Sequence, residues 1–375
     1  MKTVSIISTD IQDLETQMLD YLKQGNQPTL AIVFSSPTHS LDALSRLFDT
    51  YDIDVMGCTS SGEIRDTEIA EDSISCLLMD ISRDYYRLLM AQNTEGVVPM
   101  GQRIRLQADA AFKNPAMIVC SAGVLNDGEK IVEGLKTERE IPIFGGLAGD
   151  NFQMKETIIF TRLGQSNNGI AAIAFDNDKI EVTGSAISGW ESLGGTHTVT
   201  KAKDNVIYTI NKEPALDFFI RFFGEEDGTD LTGQSISNIS AQYPFQIMRG
   251  ENYSVLRCPL LSDEGTRSLT MGSGMNEGDK FRFSISPGVE VVDNTIAEFK
   301  KLPLAKSDTD ALIMFSCIGR RAALGPFLDD EINGLYDIWK KPMIGFLTYG
   351  EIGNLKNGVC EFHNETCSLV LIREK

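Results

Sequence analysis

The residues of this chain best suited to hold a small molecule sit where short apolar runs end in small polar side chains. Leu30-Ala31-Ile32-Val33-Phe34 runs into Ser35-Ser36-Pro37-Thr38-His39, Ala116-Met117-Ile118-Val119 into Cys120-Ser121-Ala122-Gly123, and Ala311-Leu312-Ile313-Met314-Phe315 into Ser316-Cys317-Ile318-Gly319-Arg320-Arg321. Read as parallel strands, these runs place their carboxyl ends on one edge, which is where open α/β sheets bind ligands. Small side chains there let the backbone approach a ligand, so Ser36, Ser121 and Cys317 are candidate lining residues. Arg320 is the candidate for meeting an anionic group, because a guanidinium bonds a carboxylate in a bidentate fork. Arg321 reads as a surface ion pair. The competing reading of the small residues is that they only let a helix turn back tightly.

Two further motifs carry carboxylates. Gly62-Glu63-Ile64 and Gly350-Glu351-Ile352 each follow an apolar run with Gly five residues earlier, and Gly149-Asp150 stands in the same place one residue tighter. Such turns offer a carboxylate to a ligand amine, or they are structural, with Gly supplying φ > 0 and Glu capping backbone N–H groups. Their repetition favours structure. Chemistry of other kinds finds little support. Cys58 lies in a Gly-x-x-x-x-Gly turn without a neighbouring His or cation to make a thiolate. The same turn lacks the Lys and Ser/Thr of a phosphate loop, and no Gly-x-Ser-x-Gly elbow occurs. The expectation is a binding protein rather than an enzyme.

The elements that position these residues repeat. Each copy is an apolar strand, an amphipathic helix, a second apolar strand running into a Gly-punctuated turn, and a further strand. The first copy has helix positions Leu41, Leu44, Leu47 and Phe48 and a closing strand at 73–81. The second has a helix near 127–136 and strands at 156–162 and 169–175. The third starts at Ala311, has a helix near 329–339 and ends with a strand at 366–373. A strand–helix–strand unit of this kind implies parallel pairing with a right-handed crossover. Residues 180–304 differ: a hairpin at 197–210 turns at Asp204-Asn205, a helix starts near Pro214, a β-rich stretch covers 246–285 and a helix lies near 289–301. The fold class expected is therefore α/β, with repeated βαβ units in mixed, mostly parallel sheets. It forms two lobes, with a β-rich insertion before the last repeat.

The bulk composition narrows the partners. The 375 residues carry 34 Lys and Arg against 53 Asp and Glu, a formal charge of -19. That surface repels nucleic acid and anionic lipid, and suits solubility or a basic protein partner. No run is apolar enough for a membrane span or a signal peptide, which points to the cytoplasm. The seven cysteines include no Cys-x-x-Cys pair, so buried reduced thiols are expected.

The ordered set of motifs resembles the FIST family of sensory signalling modules over nearly the whole chain. In the first half the likeness rests on Val33-Phe34-Ser35-Ser36-Pro37, Gly57-Cys58-Thr59-Ser60-Ser61-Gly62-Glu63-Ile64 and Gly145-Gly146-Leu147-Ala148-Gly149-Asp150. In the second half it rests on Gly189-Trp190, Val199-Thr200-Lys201-Ala202, Glu213-Pro214-Ala215, Phe315-Ser316-Cys317-Ile318-Gly319-Arg320, Gly350-Glu351-Ile352 and Phe362-His363-Asn364-Glu365-Thr366. The resemblance implies an N-type sensory domain at 1–185 and a C-type domain at 186–375. It also implies binding of a small ligand and output through a separate partner, a histidine kinase or a cyclic-di-GMP enzyme. A stand-alone member looks like the nitric-oxide-sensing subgroup, which binds haem. The candidate axial ligands are then His39 and His197, followed by His363. The alternatives are a sensor of an amino acid or related small carboxylate without haem, and a protein-interaction scaffold with no pocket.

Overall fold

A computed structural model describes residues 1–122, 124, 126–223, 234–249, 253–286, 288–302, 308–355 and 358–375. Gly123 and the expected end of the insertion at 304 lie outside these. Three copies of one unit build the body. Each unit runs outer strand, helix, core strand, crossover helix, partner strand, hairpin and return strand. In the first copy these are Lys2–Ser8, Ile11–Lys23, Leu30–Ser35, Leu41–Thr50, Asp54–Thr59, the hairpin Glu63–Arg65 with Glu68–Ala70, and Ile74–Asp80. In the second they are Tyr86–Gln92, Val97–Ala111, Pro115–Ser121, Gly128–Leu135, Ile143–Leu147, the hairpin Ile159–Thr161 with Gly164–Ser166, and Gly169–Asp176. The third opens with Ile180–Ile187 and resumes after the insertion with Glu290–Phe299 and Ala311–Cys317. Two crossover helices follow, Ile318–Leu324 and Phe327–Trp339, then Met343–Thr348, the hairpin Glu351–Asn354 with Cys360–His363, and Cys367–Glu374.

Phe34, Val119 and Phe315 thus all lie in core strands, as the repeat reading requires. Each core strand runs parallel to its partner strand, in registers that match Ser35 to Thr59, Ser121 to Leu147 and Ser316 to Leu347. Each return strand then lies antiparallel between the core strand and the outer strand. The sheets are therefore mixed, with one parallel pair in each. The expected parallel majority gives way because the return strand and hairpin, both reached by tight turns, must run antiparallel to their neighbours.

The hairpins do not stay with their own sheets. The first pairs with the third partner strand, matching Arg65, Ile64 and Glu63 to Ile344, Gly345 and Phe346. The second pairs with the first partner strand through Ile159 and Cys58, and the third with the second through Ile352 and Gly145. The exchange is cyclic, so three six-stranded sheets close into a ring. It also means that hydrogen bonds run across the expected division between residues 185 and 186. At the centre lies an apolar cluster drawn from all three copies, in which Phe34, Phe315 and Phe346 pack with ring centroids 4.4 to 6.0 Å apart. All seven cysteines are buried and free.

The insertion forms the second lobe. An antiparallel sheet that includes Glu191–Lys203, Val206–Ile210, Phe245–Met248, Ser254–Arg257 and Lys280–Ile285 packs against the helix Ala215–Phe223. Leu216, Phe218 and Phe219 of that helix fill this lobe's own core. Leu216 stands four positions before Ile220 and three before Phe219, which gives one apolar helix face.

Candidate functional site

The carboxyl ends of the core strands are not open. Ser36, Ser121 and Cys317 are all buried. Ser36 Oγ donates to Asp72 Oδ1 at 3.2 Å and accepts from Thr38 Oγ1 at 3.0 Å. Ser121 Oγ donates to the Gly169 carbonyl at 3.0 Å. By register Ser121 matches Ser35 and Ser316. Ser36 and Cys317 match Ala122 instead, and these three amides bond the equivalent carbonyls of Ser73, Thr366 and Gly169. Above them the three Gly-punctuated turns interlock. Leu147 N donates to Gly350 O and Tyr349 N to Leu147 O; Leu347 N donates to Gly62 O and Ser61 N to Leu347 O; Gly149 N donates to Thr59 O, and Thr59 N to Ile158 O. The turns sit so close that a Cβ on Gly149 would lie 2.3 Å from Ser61 Oγ, and Gly62 adopts φ +135°. This ring of turns fills the edge where a ligand was expected. Two surface clefts lie elsewhere. One of about 580 Å³ is lined by residues including Phe144, Val182, Gly184, Leu302 and Asn354, and one of about 360 Å³ includes Gln92, Glu156 and Asn168.

The repeated carboxylates are structural. Glu63 accepts from Ser60 Oγ, and from Ser73 through its amide at 3.2 Å and its hydroxyl at 2.7 Å. Glu351 does the same with Thr348 Oγ1 and with Thr366 at 3.3 and 2.6 Å. Each carboxyl ties a hairpin to its return strand. Burial outweighs these hydrogen bonds and raises Glu63 to about 7 and Glu351 to about 8. In the second copy Asp150 does something different: it accepts the amides of Met154, Lys155 and Glu156 in the segment leading to its hairpin, and the hydroxyl of Tyr349 from the third turn.

Arg320 is not free to meet a ligand, which corrects its assignment as the anion contact. Its side chain is fully buried and paired with the equally buried Glu331. Nε donates to Glu331 Oε2 at 3.2 Å, Nη1 donates to the carbonyls of Ser188 at 2.6 Å and Glu365 at 3.0 Å, and the guanidinium stacks 5.0 Å from the Trp190 ring centre. Arg321 pairs with Glu71 at the surface, as expected. Cys317 is buried near Glu351 and Glu365, and burial first, then those carboxylates, push its thiol far above the ordinary range.

The three histidines are held in different ways. An axial His presents an unprotonated ring nitrogen, with the other N–H donated to an acceptor. His39 and His363 each donate Nε2–H to a carbonyl, of Asp72 (3.1 Å) and Gly353 (3.3 Å), which leaves Nδ1 as the unprotonated nitrogen. His363 is fully buried, and burial together with Arg257 pushes it down to about 3. His197 lies among the rings of Phe218, Phe222, Phe281 and Phe283, with centroids 4.8 to 6.0 Å away, and its Nε2 is buried without a hydrogen-bond partner. Its Nδ1 faces Asn211 Nδ2 at 3.1 Å, and Asn211 Oδ1 is held by the Thr198 amide at 2.9 Å. The amide group must therefore donate to Nδ1, which puts the proton on Nε2.

An incompletely satisfied polar cluster lies at the seam between lobe and ring. Arg249 and Arg257 come from the lobe. Glu129, Phe362 and Asn364 come from the ring. Arg249 Nη2 donates to Glu129 Oε1 at 2.7 Å. Arg257 is wholly buried, lies 5.7 Å from the Phe362 ring centre, and stands with Nη2 3.6 Å from Glu129 Oε2. Burial holds its guanidinium below the ordinary value. Arg249 Nε, Arg257 Nε, Arg257 Nη2 and Asn364 Oδ1 are buried without hydrogen-bond partners, although Arg257 Nη2 is ion-paired with Glu129. Sequence reasoning missed these residues. The available signal was a lone Arg at the end of the apolar strand Ser254-Val255-Leu256-Arg257, close before the Gly272-Ser273-Gly274 run.

Residues 29–213 match the FIST N domain and residues 215–354 the FIST C domain. The chain belongs to the FIST family, whose domains are sensory modules that bind small ligands in signal transduction. No curated protein matches it in sequence. Among the described residues no helix is long and apolar enough to cross a membrane.

Proposed function

We propose that this chain is a cytoplasmic sensor that binds a small organic ligand without haem and acts by binding rather than catalysis. It passes the signal to a separate partner, a histidine kinase or a cyclic-di-GMP enzyme, for which its net charge of -19 offers an acidic docking face. The observation that carries the reading is the seam. Two bodies with separate apolar cores meet there across buried polar groups that the protein leaves unsatisfied. Such groups are costly inside a protein, and a ligand that satisfies them draws lobe and ring together. Binding is thereby coupled to a change that a partner can read.

Thermal unfolding of the purified chain tests this against amino acids, small carboxylates, nucleotides and sugars, with haem titrated separately. At least one organic class should raise Tm by about 2 °C or more near saturation. Failure of all of them would refute organic-ligand sensing. A stoichiometric Soret band that survives His39→Ala and disappears in His197→Ala would instead restore haem as the ligand.

A further inference from the structure

The larger surface cleft of the ring, about 580 Å³, has the size of a small-molecule site. Val182, Thr183, Gly184 and Ser185 all line it. Consecutive residues of a strand point to opposite faces, so the cleft runs along the strand's edge rather than over one face. Ile180–Ile187 is an outermost strand of its sheet, and its inner edge pairs with Cys367–Glu374. Alternate residues of such a strand turn their backbone groups outward. The Val182 amide does so, donating to Asn177 Oδ1 at 3.0 Å. Gly184, two residues on, therefore turns its N–H and C=O to the cleft. Beside it Ser185 is only 2% exposed, and its hydroxyl is buried without a hydrogen-bond partner. Ile141, Pro142, Phe144 and Leu302 give the remaining walls an apolar character. Asn354 has no amide to spare, because it donates to the Ile141 carbonyl at 3.2 Å and accepts from the Ile143 amide at 2.7 Å.

We propose that this cleft binds a neutral, largely apolar small molecule carrying a primary amide or lactam. In such a group N–H and C=O face the same way, as they do on the outward edge of Gly184, so the two can exchange a pair of hydrogen bonds. The Ser185 hydroxyl supplies a further donor to the ligand's carbonyl. Charge selects against an anion. Among the described lining residues Lys301 is the one cation, and Glu298 pairs with it at 2.7 Å, while Glu140 adds a second carboxylate. Shape selects against an extended peptide. A Cβ on Gly353 would lie 3.0 Å from Ala186 Cβ, so the gap beside the strand closes at that end and a chain cannot run along the whole edge. The site lies wholly within the ring and uses none of the seam's residues, so it goes beyond the sensor reading above.

The test measures Tm and calorimetric affinity of the full chain for hexanamide, caprolactam and cyclic dileucine. Cyclohexanone, which has no N–H, and hexanoate, which is charged, are the matched controls. At least one amide should bind, about tenfold or more tighter than both controls. Ser185→Ala removes a hydroxyl that has no partner, so it should keep the Tm of the free chain and weaken amide binding about three- to tenfold. Leu302→Trp fills the cleft and should abolish binding. Gly195→Ala, in the lobe with nothing within 4 Å, should leave the affinity unchanged. No binding of any amide, or equal binding of hexanoate or cyclohexanone, would overturn the site. So would undiminished binding in both variants, or in Ser185→Ala alone where Leu302→Trp fails to fold. Tighter binding of a capped trileucine peptide than of every amide probe would overturn the small-molecule assignment. A ligand found in the broader screen that binds Leu302→Trp as it binds the wild type would overturn the cleft while leaving the sensor function in place.

Discussion

Replacing Arg320 by Met separates an internal role for this residue from a ligand-binding one. The guanidinium and the Glu331 carboxylate are both fully buried, and the same side chain holds the carbonyls of Ser188 and Glu365. Removing one member of a buried pair strands the other charge, at a cost of about 3–5 kcal/mol. The two carbonyls lose a charged donor as well, which places the expected loss at the upper end of that range. The double variant Arg320→Met with Glu331→Gln has no stranded charge and should recover about 2 kcal/mol relative to Arg320→Met alone. Urea unfolding followed by tryptophan fluorescence is the assay, because Trp190 stacks directly on the guanidinium. A loss below about 1 kcal/mol in Arg320→Met, together with abolished ligand binding, would refute the internal role and return Arg320 to the site.

Other outcomes follow from the same geometry. Glu351 and Glu365 are raised to about 8 and Glu63 to about 7, so the unfolded chain ionises first as pH rises from about 4.5. Stability should therefore fall between about pH 4.5 and 8 and level off above. Glu351→Gln should remove at most about 5 kcal/mol of this total fall, and unfolding at a series of pH values with an unchanged slope would contradict this. Gly149→Ala forces a methyl group against Ser61 and should cost about 1–3 kcal/mol, seen as a lower Tm, while Gly195→Ala, with nothing within 4 Å, should change little. Duplex DNA should not bind at physiological salt, given the charge of -19, and micromolar affinity in a salt titration would contradict that.

The repeated unit was legible because its cues are local. Apolar runs, helix faces and Gly-punctuated turns recur in order, and helices expected near 127–136 and 329–339 are found at Gly128–Leu135 and Phe327–Trp339. The hairpin at 197–210 likewise turns between Glu191–Lys203 and Val206–Ile210. The hairpin exchange was not legible. A three-residue strand such as Glu63–Arg65 pairs as readily with one partner edge as with another, and only the closed ring selects Ile344–Phe346. Arg320 was conspicuous for a reason the sequence does not display. Its partner Glu331 lies on the next helix, and burial of both depends on how the two helices pack. Arg257 was overlooked because its significance is an absence, two donors without acceptors, which appears only when lobe and ring are seen in contact.

The cyclic exchange of hairpins has a consequence for how the chain is made. During synthesis the edge Glu63–Arg65 emerges early, yet its partner Met343–Thr348 emerges only after the whole second copy and the lobe. Until then the first hairpin, though paired within itself, has its other edge at Glu63–Arg65 without the strand it is to meet. Contacts so distant along the chain slow folding, and an unpaired edge recruits other strands. The third return strand, Cys367–Glu374, completes the circuit by pairing with both Ile180–Ile187 and Ala311–Cys317. Truncation before Cys367–Glu374 would leave two edges open at once, so such a chain would be a client for chaperones rather than a weakened sensor.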